Sequence, residues 1–87
     1  MDLKIITPTG SALEGFYEKI SFHTPQGMVE ILEDHASFVC EISPGPAYFT
    51  QGEVSEFLFI SNGFAKVLDN KVTLIVHETR QYEMDRP

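Results

Sequence analysis

The sequence predicts an all-β domain built as a sandwich or a small barrel. Three observations carry this. Apolar residues recur with period two in several short segments, turn residues interrupt them every few positions, and β-branched and aromatic residues fill the apolar runs. The richest stretch runs from Phe57 to Val76. It opens on four consecutive apolar residues, Phe57 to Ile60, and breaks at Ser61-Asn62-Gly63, a polar triplet suited to a bulge or a tight bend. It resumes at Phe64 to Leu68. Asp69-Asn70 follows, and both residue types tolerate the left-handed angles of a two-residue hairpin turn. Val72 to Val76 forms the returning strand. A helix is disfavoured because β-branched and aromatic residues dominate.

The other elements follow in order. Leu3 to Thr7 is a short strand, turned by Pro8-Thr9-Gly10-Ser11. Ala12 to Gly15 is a brief segment before the next strand. Tyr17 to His23 alternates, with Ile20 and Phe22 on one face and Lys19, Ser21 and His23 on the other. Thr24-Pro25-Gln26-Gly27 turns the chain into a strand from Met28 to Leu32. Glu33-Asp34-His35 is a polar loop. Phe38, Cys40 and Ile42 share one face of a further strand, and Ser43-Pro44-Gly45-Pro46 turns it. Ala47 to Thr50 is a strand, and Gln51-Gly52-Glu53 is its turn. Glu78 to Pro87 is polar and is expected to fray. The domain division is therefore 1–80 for the β domain and 81–87 for a polar C-terminal tail. Roughly eight to ten strands result. Ile20, Phe22, Ile31, Phe38, Cys40, Ile42, Phe59, Val67 and Leu74 are the expected core residues.

With 87 residues the chain holds one domain. Its apolar fraction is 43%, with seven Phe, enough for a real core. Six basic residues face thirteen acidic ones, for a net charge of -7, which argues against nucleic acid and against an anionic lipid surface. Cys40 is alone, so no internal disulfide forms, and a reducing compartment fits. No apolar run approaches the ~20 residues of a membrane span.

Catalytic signatures are missing from the sequence. It has no phosphate loop of the G-x-x-x-x-G-K type, no G-x-G-x-x-G after a strand and no G-x-S-x-G elbow. Cys40 reads as a structural thiol on an apolar face rather than a nucleophile. His23, His35 and His77 do not form a spaced metal motif, and a structural zinc site takes about four ligands. Glu33-Asp34-His35 reads as a solvated loop rather than an acid–base pair, since adjacent residues point apart. Composition and spacing thus reach an acidic all-β interaction module, with no cofactor and no metal.

Five blocks carry a more specific signal: Glu18-Lys19-Ile20, Gly27 to Ala36, Ile42-Ser43-Pro44-Gly45, Ser61 to Val67, and Val72 to Val76. In order and spacing, over about residues 3–80, they resemble the N-terminal β-sandwich of epsilon subunits of F-type ATP synthases. The corresponding family patterns are E-K-I/V, G-x-x-G-I-L-P-x-H-A, L-K-P-G, S-G-G-F-x-E-V and V-T-V-L-A. Glu30, Glu33 and Ser37 depart from the family's Gly, Pro and Pro, and Met28 stands where many members carry an acidic residue.

The resemblance implies a flattened β-sandwich of about ten short, mostly antiparallel strands. It implies a non-catalytic central-stalk subunit that binds the gamma subunit and the ring of c subunits, and so helps couple proton or sodium flow to ATP synthesis or hydrolysis. Such a subunit is peripheral to the membrane, on the cytoplasmic side in bacteria, and does not insert into the bilayer. On the same grounds Met28, Glu33, Asp34 and His35 are expected toward the c-ring, and Leu13 and Val39 toward gamma. The family usually continues into a C-terminal helical pair that can inhibit hydrolysis. The sequence ends at Pro87, about where that pair is expected to begin.

The competing reading is a free-standing β-sandwich module that captures a peptide or a carbohydrate. Sugar rings stack on exposed aromatics. Trp is absent, Tyr17, Tyr48 and Tyr82 are the only tyrosines, and the Phe residues are expected in the core, which weakens that reading. The isolated chain should show no ATP hydrolysis. Turnover above a buffer blank that survives repurification would refute this.

Overall fold

Period-two patterning gives each strand one apolar and one polar face, and two sheets are needed to bury the apolar ones. The computed structural model, which describes residues 1–81, has two five-stranded sheets. The strands are β1 (Asp2–Thr7), β2 (Gly10–Phe16), β3 (Lys19–Thr24), β4 (Gly27–Leu32), β5 (Phe38–Ile42), β6 (Gly45–Gln51), β7 (Val54–Ile60), β8 (Gly63–Leu68), β9 (Lys71–Val76) and β10 (Thr79–Arg80). Sheet A has the order β2-β1-β9-β8-β5 and sheet B the order β10-β7-β6-β3-β4. All pairs are antiparallel except β1 with β9. The fold is a β-sandwich, the one of the two architectures left open by the alternation that the family resemblance implies.

The core lies between the sheets. Leu3, Ile5, Val67, Val72 and Leu74 from sheet A meet Ile20, Phe22, Ile31 and Phe49 from sheet B, all almost fully buried. Burying such side chains contributes ~1.5–3 kcal/mol each relative to exposure. Phe38 and Cys40 are half-buried against this core, on the same face as buried Ile42, as the alternation predicts.

Four details differ from the sequence reading. Ala12 to Gly15 is part of β2, where two residues of that strand oppose one of β1: Ile5 pairs with Leu13 and Ile6 with Ser11, leaving Ala12 as the bulge residue. Ser61-Asn62-Gly63 is not a bulge within one sheet. It carries the chain from β7 in sheet B to β8 in sheet A. Thr79–Arg80 does not fray but pairs with Ile60 and Phe59 as an edge strand. The tail expected over 81–87 lies outside the described residues from position 82 onward.

The fourth difference is Phe59, expected in the core. Leu58 pairs with Ala47 and Ile60 with Gly45, and these positions face inward. Phe59 therefore points outward with Phe57, its ring 5.9 Å from that of Phe57. Four apolar residues in a row carry no alternation of their own, so only the pairing with β6 decides which ones face the core.

The β8–β9 turn matches expectation, with φ of 52° at Asp69 and 60° at Asn70, both in the left-handed region of a type I′ turn. Gly63 is required by close approach. A Cβ at that position overlaps the Ile75 carbonyl oxygen of the neighbouring strand. Gly63→Ala should therefore force β8 and β9 apart and cost roughly 2–4 kcal/mol, read as a lower urea midpoint. A midpoint equal to the parent's would show that the ladder absorbs the methyl group.

Candidate interaction surfaces

The pleat assigns every exposed side chain to an end or to an outer face of the sandwich. One end gathers the start of β1, the loop after β4, and the β6–β7 and β8–β9 turns. This end is acidic, carrying Glu18, Glu33, Asp34, Glu53 and Asp69. The opposite end gathers the β3–β4 turn, Ser43-Pro44 and the crossover at Ser61.

In the acidic end the predicted loop is closely held. The Glu33 carboxylate lies 3.4 Å from the Met1 ammonium group, which also donates to the Tyr17 carbonyl at 2.8 Å. Asp34 has φ 62°. Its backbone N–H donates to the Asn70 side-chain oxygen at 2.6 Å, and the Asn70 amide donates back to the Asp34 carboxylate at 3.0 Å. The His35 Nδ1 lies 2.8 Å from the Ala36 carbonyl oxygen, and its ring meets Phe38 edge-on at 5.1 Å. All three side chains thus have partners within the fold.

Met28 is not beside them. It starts β4, next to the β3–β4 turn, while Glu33 follows the strand's end. Five residues of extended chain separate the two by roughly 16 Å. Met28 is 51% exposed. The four residues expected to face one partner therefore lie at opposite ends of the sandwich. The pair expected on the other surface also separates. Leu13 opposes Ile5 and packs against the core, so it offers little to a partner. Val39 is 70% exposed on the outer face of sheet A.

That outer face has features the sequence reading missed. Its cross-strand rows follow from the register. One row is Ile6, Ile75, Phe64 and Glu41, and the next is Glu14, Lys4, Thr73, Lys66 and Val39. A third is Phe16, Asp2, Lys71 and Leu68. Phe16, Val39, Phe64, Leu68 and Ile75 are all exposed, half of the ten exposed large apolar residues. Monomers seldom leave so many adjacent apolar side chains open unless a partner covers them. The signal was available in the β8–β9 hairpin. Once Leu68 pairs with Lys71, parity puts Phe64, Lys66 and Leu68 beside Thr73 and Ile75, facing outward.

The outer face of sheet B carries three rings, Tyr48, Phe57 and Phe59. Tyr48 and Phe57 are tilted by 39° and Phe57 and Phe59 by 82°. Only Phe57 and Phe59 meet edge to face, and the three rings do not share one plane.

For catalysis the side chains offer little. Among the described residues no three His, Cys, Asp or Glu come together as a metal site. Burial pushes the Cys40 thiol pKa up, away from the reactive thiolate. His23 lies on β3 of sheet B, His35 in the loop after β4 and His77 just after β9.

Residues 1–81 match the family described as the β-sandwich domain of the ATP synthase delta/epsilon chain. The chain is 30% identical over 83 residues to the ATP synthase epsilon chain of Nitratidesulfovibrio vulgaris strain Miyazaki F, covering 95% of this chain and 62% of that protein. It is 36% identical over 75 residues to the epsilon chain of Clostridium novyi, covering 84% and 56% respectively. A chain in the cryo-EM structure of the Euglena gracilis mitochondrial ATP synthase, OSCP/F1/c-ring, superimposes with a TM-score of 0.81 at 25% identity. That match covers 88% of this chain and 50% of the other. The chain thus spans little more than half the length of these relatives.

Asn70→Gly tests how firmly the acidic-end loop is held. Glycine keeps the left-handed turn and removes the amide that bonds Asp34. Stability should fall by about 1–2 kcal/mol, and the Asp34 amide proton should exchange faster with solvent. Unchanged exchange at Asp34 would show that the loop does not depend on Asn70.

Proposed function

Because the chain belongs to the family of ATP synthase delta/epsilon β-sandwich domains, we propose that it is a non-catalytic rotor part that joins the gamma subunit to the c-ring. In that position it helps couple ion flow to ATP synthesis or hydrolysis, held at the membrane by its partners. The observation that carries this reading is the exposed apolar outer face of sheet A, with Val39, Phe64 and Ile75 on three neighbouring strands. A domain whose core is already complete has no internal use for these residues. We assign that face to gamma.

The ring contact is assigned to the end that carries Met28. Glu33, Asp34 and His35 are engaged within the fold, and recruiting them would break bonds that hold the loop. Met28 makes no such bond and adapts to irregular apolar surface. No helix among the described residues is long and apolar enough to cross a membrane, which suits attachment through partners.

Two variants separate the surfaces. Val39→Asp puts a charge where an apolar contact forms and should weaken gamma binding by ~1–3 kcal/mol while the chain still folds. Met28→Arg should leave gamma binding intact and weaken docking on the assembled ring. Glu33→Lys serves as the control at the other end and should leave ring docking near the parent's. Parent-like gamma binding by folded Val39→Asp would remove gamma from sheet A. Loss of ring docking with Glu33→Lys but not with Met28→Arg would move the ring to the acidic end.

A further inference from the structure

The chain has six basic residues, and three of them, Lys4, Lys66 and Lys71, project from the outer face of sheet A. All three are exposed, and none forms an ion pair among the described residues. Asp2, Glu14 and Glu41 share the face, so it is neutral overall, and the whole excess of seven negative charges lies elsewhere on the chain. The rest of the chain carries the net negative charge, so an acidic partner meets less repulsion on this face than the chain's average.

The arrangement is specific. Lys4 and Lys66 flank Thr73 in a single cross-strand row. Two strand spacings put their backbones roughly 10 Å apart. The next row, two residues along each strand, is the apolar one of Ile6, Ile75 and Phe64. A line of two lysines, with Glu14 beyond Lys4 on β2, therefore runs beside an apolar line across three neighbouring strands. Lys66 has only Thr73 and Val39 as cross-strand neighbours, so no carboxylate lies directly opposite it.

We infer that the element docking on this face is an acidic amphipathic segment. Its carboxylates lie over Lys4 and Lys66, and its apolar side chains lie over Ile6, Ile75 and Phe64. A helix lying across the strands meets both lines. Seven helical residues span about 10.5 Å, which matches the lysine spacing. This inference rests on the assignment of sheet A to gamma and adds the chemistry of the contacting element.

The test measures binding of the chain to purified gamma subunit between about 0.05 and 0.3 M salt. The variants are Lys66→Glu, the double variant Lys4→Glu with Lys66→Glu, the double variant Lys4→Arg with Lys66→Arg, and Phe64→Ser. All three sites are exposed, and circular dichroism checks that each variant folds. The double charge reversal should weaken binding by about tenfold at low salt and flatten the salt dependence. The arginine pair should bind as the parent does. Phe64→Ser should weaken binding equally at every salt concentration. If Phe64→Ser loses binding while the charge reversals do not, gamma stays on sheet A and the acidic segment is overturned. If no variant loses binding, the assignment of gamma to this face falls as well. Lysine-dependent sedimentation with phosphatidylglycerol vesicles, without lysine-dependent gamma binding, would also overturn the proposal in favour of a lipid surface.

Discussion

Asn70 joins three segments that are far apart in sequence. Its left-handed backbone closes the β8–β9 hairpin. Its carbonyl accepts the Asp2 N–H at 2.9 Å, which sets the start of β1 beside β9. Its side chain both accepts from and donates to Asp34, which fixes the passage from sheet B to sheet A. The parallel register of β1 with β9 starts at this knot, where Asp2 opposes Lys71. The placing of Asp2, Lys4 and Ile6 beside Lys71, Thr73 and Ile75 depends on that register, because a slip of one residue would turn β1's other face outward. One turn residue and its hydrogen bonds thus help hold β1 in its place on the outer face.

Gly63 plays the matching role at the far end of the same hairpin. There the chain has just left sheet B, and β8 approaches β9 so closely that no side chain fits over the Ile75 carbonyl. Asn70 holds one end of the β8–β9 ladder and Gly63 allows contact at the other. Between them Ala65 and Val67 face inward against Leu74 and Val72, and Phe64, Lys66 and Leu68 face outward.

The fold was legible in the sequence wherever alternation was clean. In β3, Ile20 and Phe22 read as inward and are fully buried. In β5, Phe38, Cys40 and Ile42 read as one face and form one. Legibility failed where the signal is not local. The run Phe57 to Ile60 is apolar throughout, so Phe59 has no parity until β6 pairs with it. Ala12 to Gly15 is hard to read because the bulge at Ala12 shifts its phase. The interaction surfaces were less legible than the core. Val39 was recognisable because it alternates with Phe38, Cys40 and Ile42 and so points to the opposite face, but Leu13 looks equally apolar and its orientation comes from pairing with Ile5. Met28 and Glu33 are close in number, yet the strand between them carries them to opposite ends, a separation that follows from five residues at the rise of a strand.

An open apolar face is a liability for a small acidic domain, and the charge distribution shows how it is contained. The row Ile6, Ile75 and Phe64 would invite a second copy of the chain to stack on it. Two such faces brought together would also set Lys4, Lys66 and Lys71 of one copy against the same lysines of the other, or against the Asp2, Glu14 and Glu41 carboxylates only in some orientations. With three lysines and three carboxylates on the face, charge penalises only those stacked arrangements that bring lysine to lysine, and this costs nothing when the partner is acidic. The excess negative charge on the remaining surface acts in the same direction by keeping copies apart. The lysines therefore have a reason to be on this face even before a partner arrives. They disfavour the self-stacked arrangements that oppose lysine to lysine, and they attract a partner that presents carboxylates at their spacing.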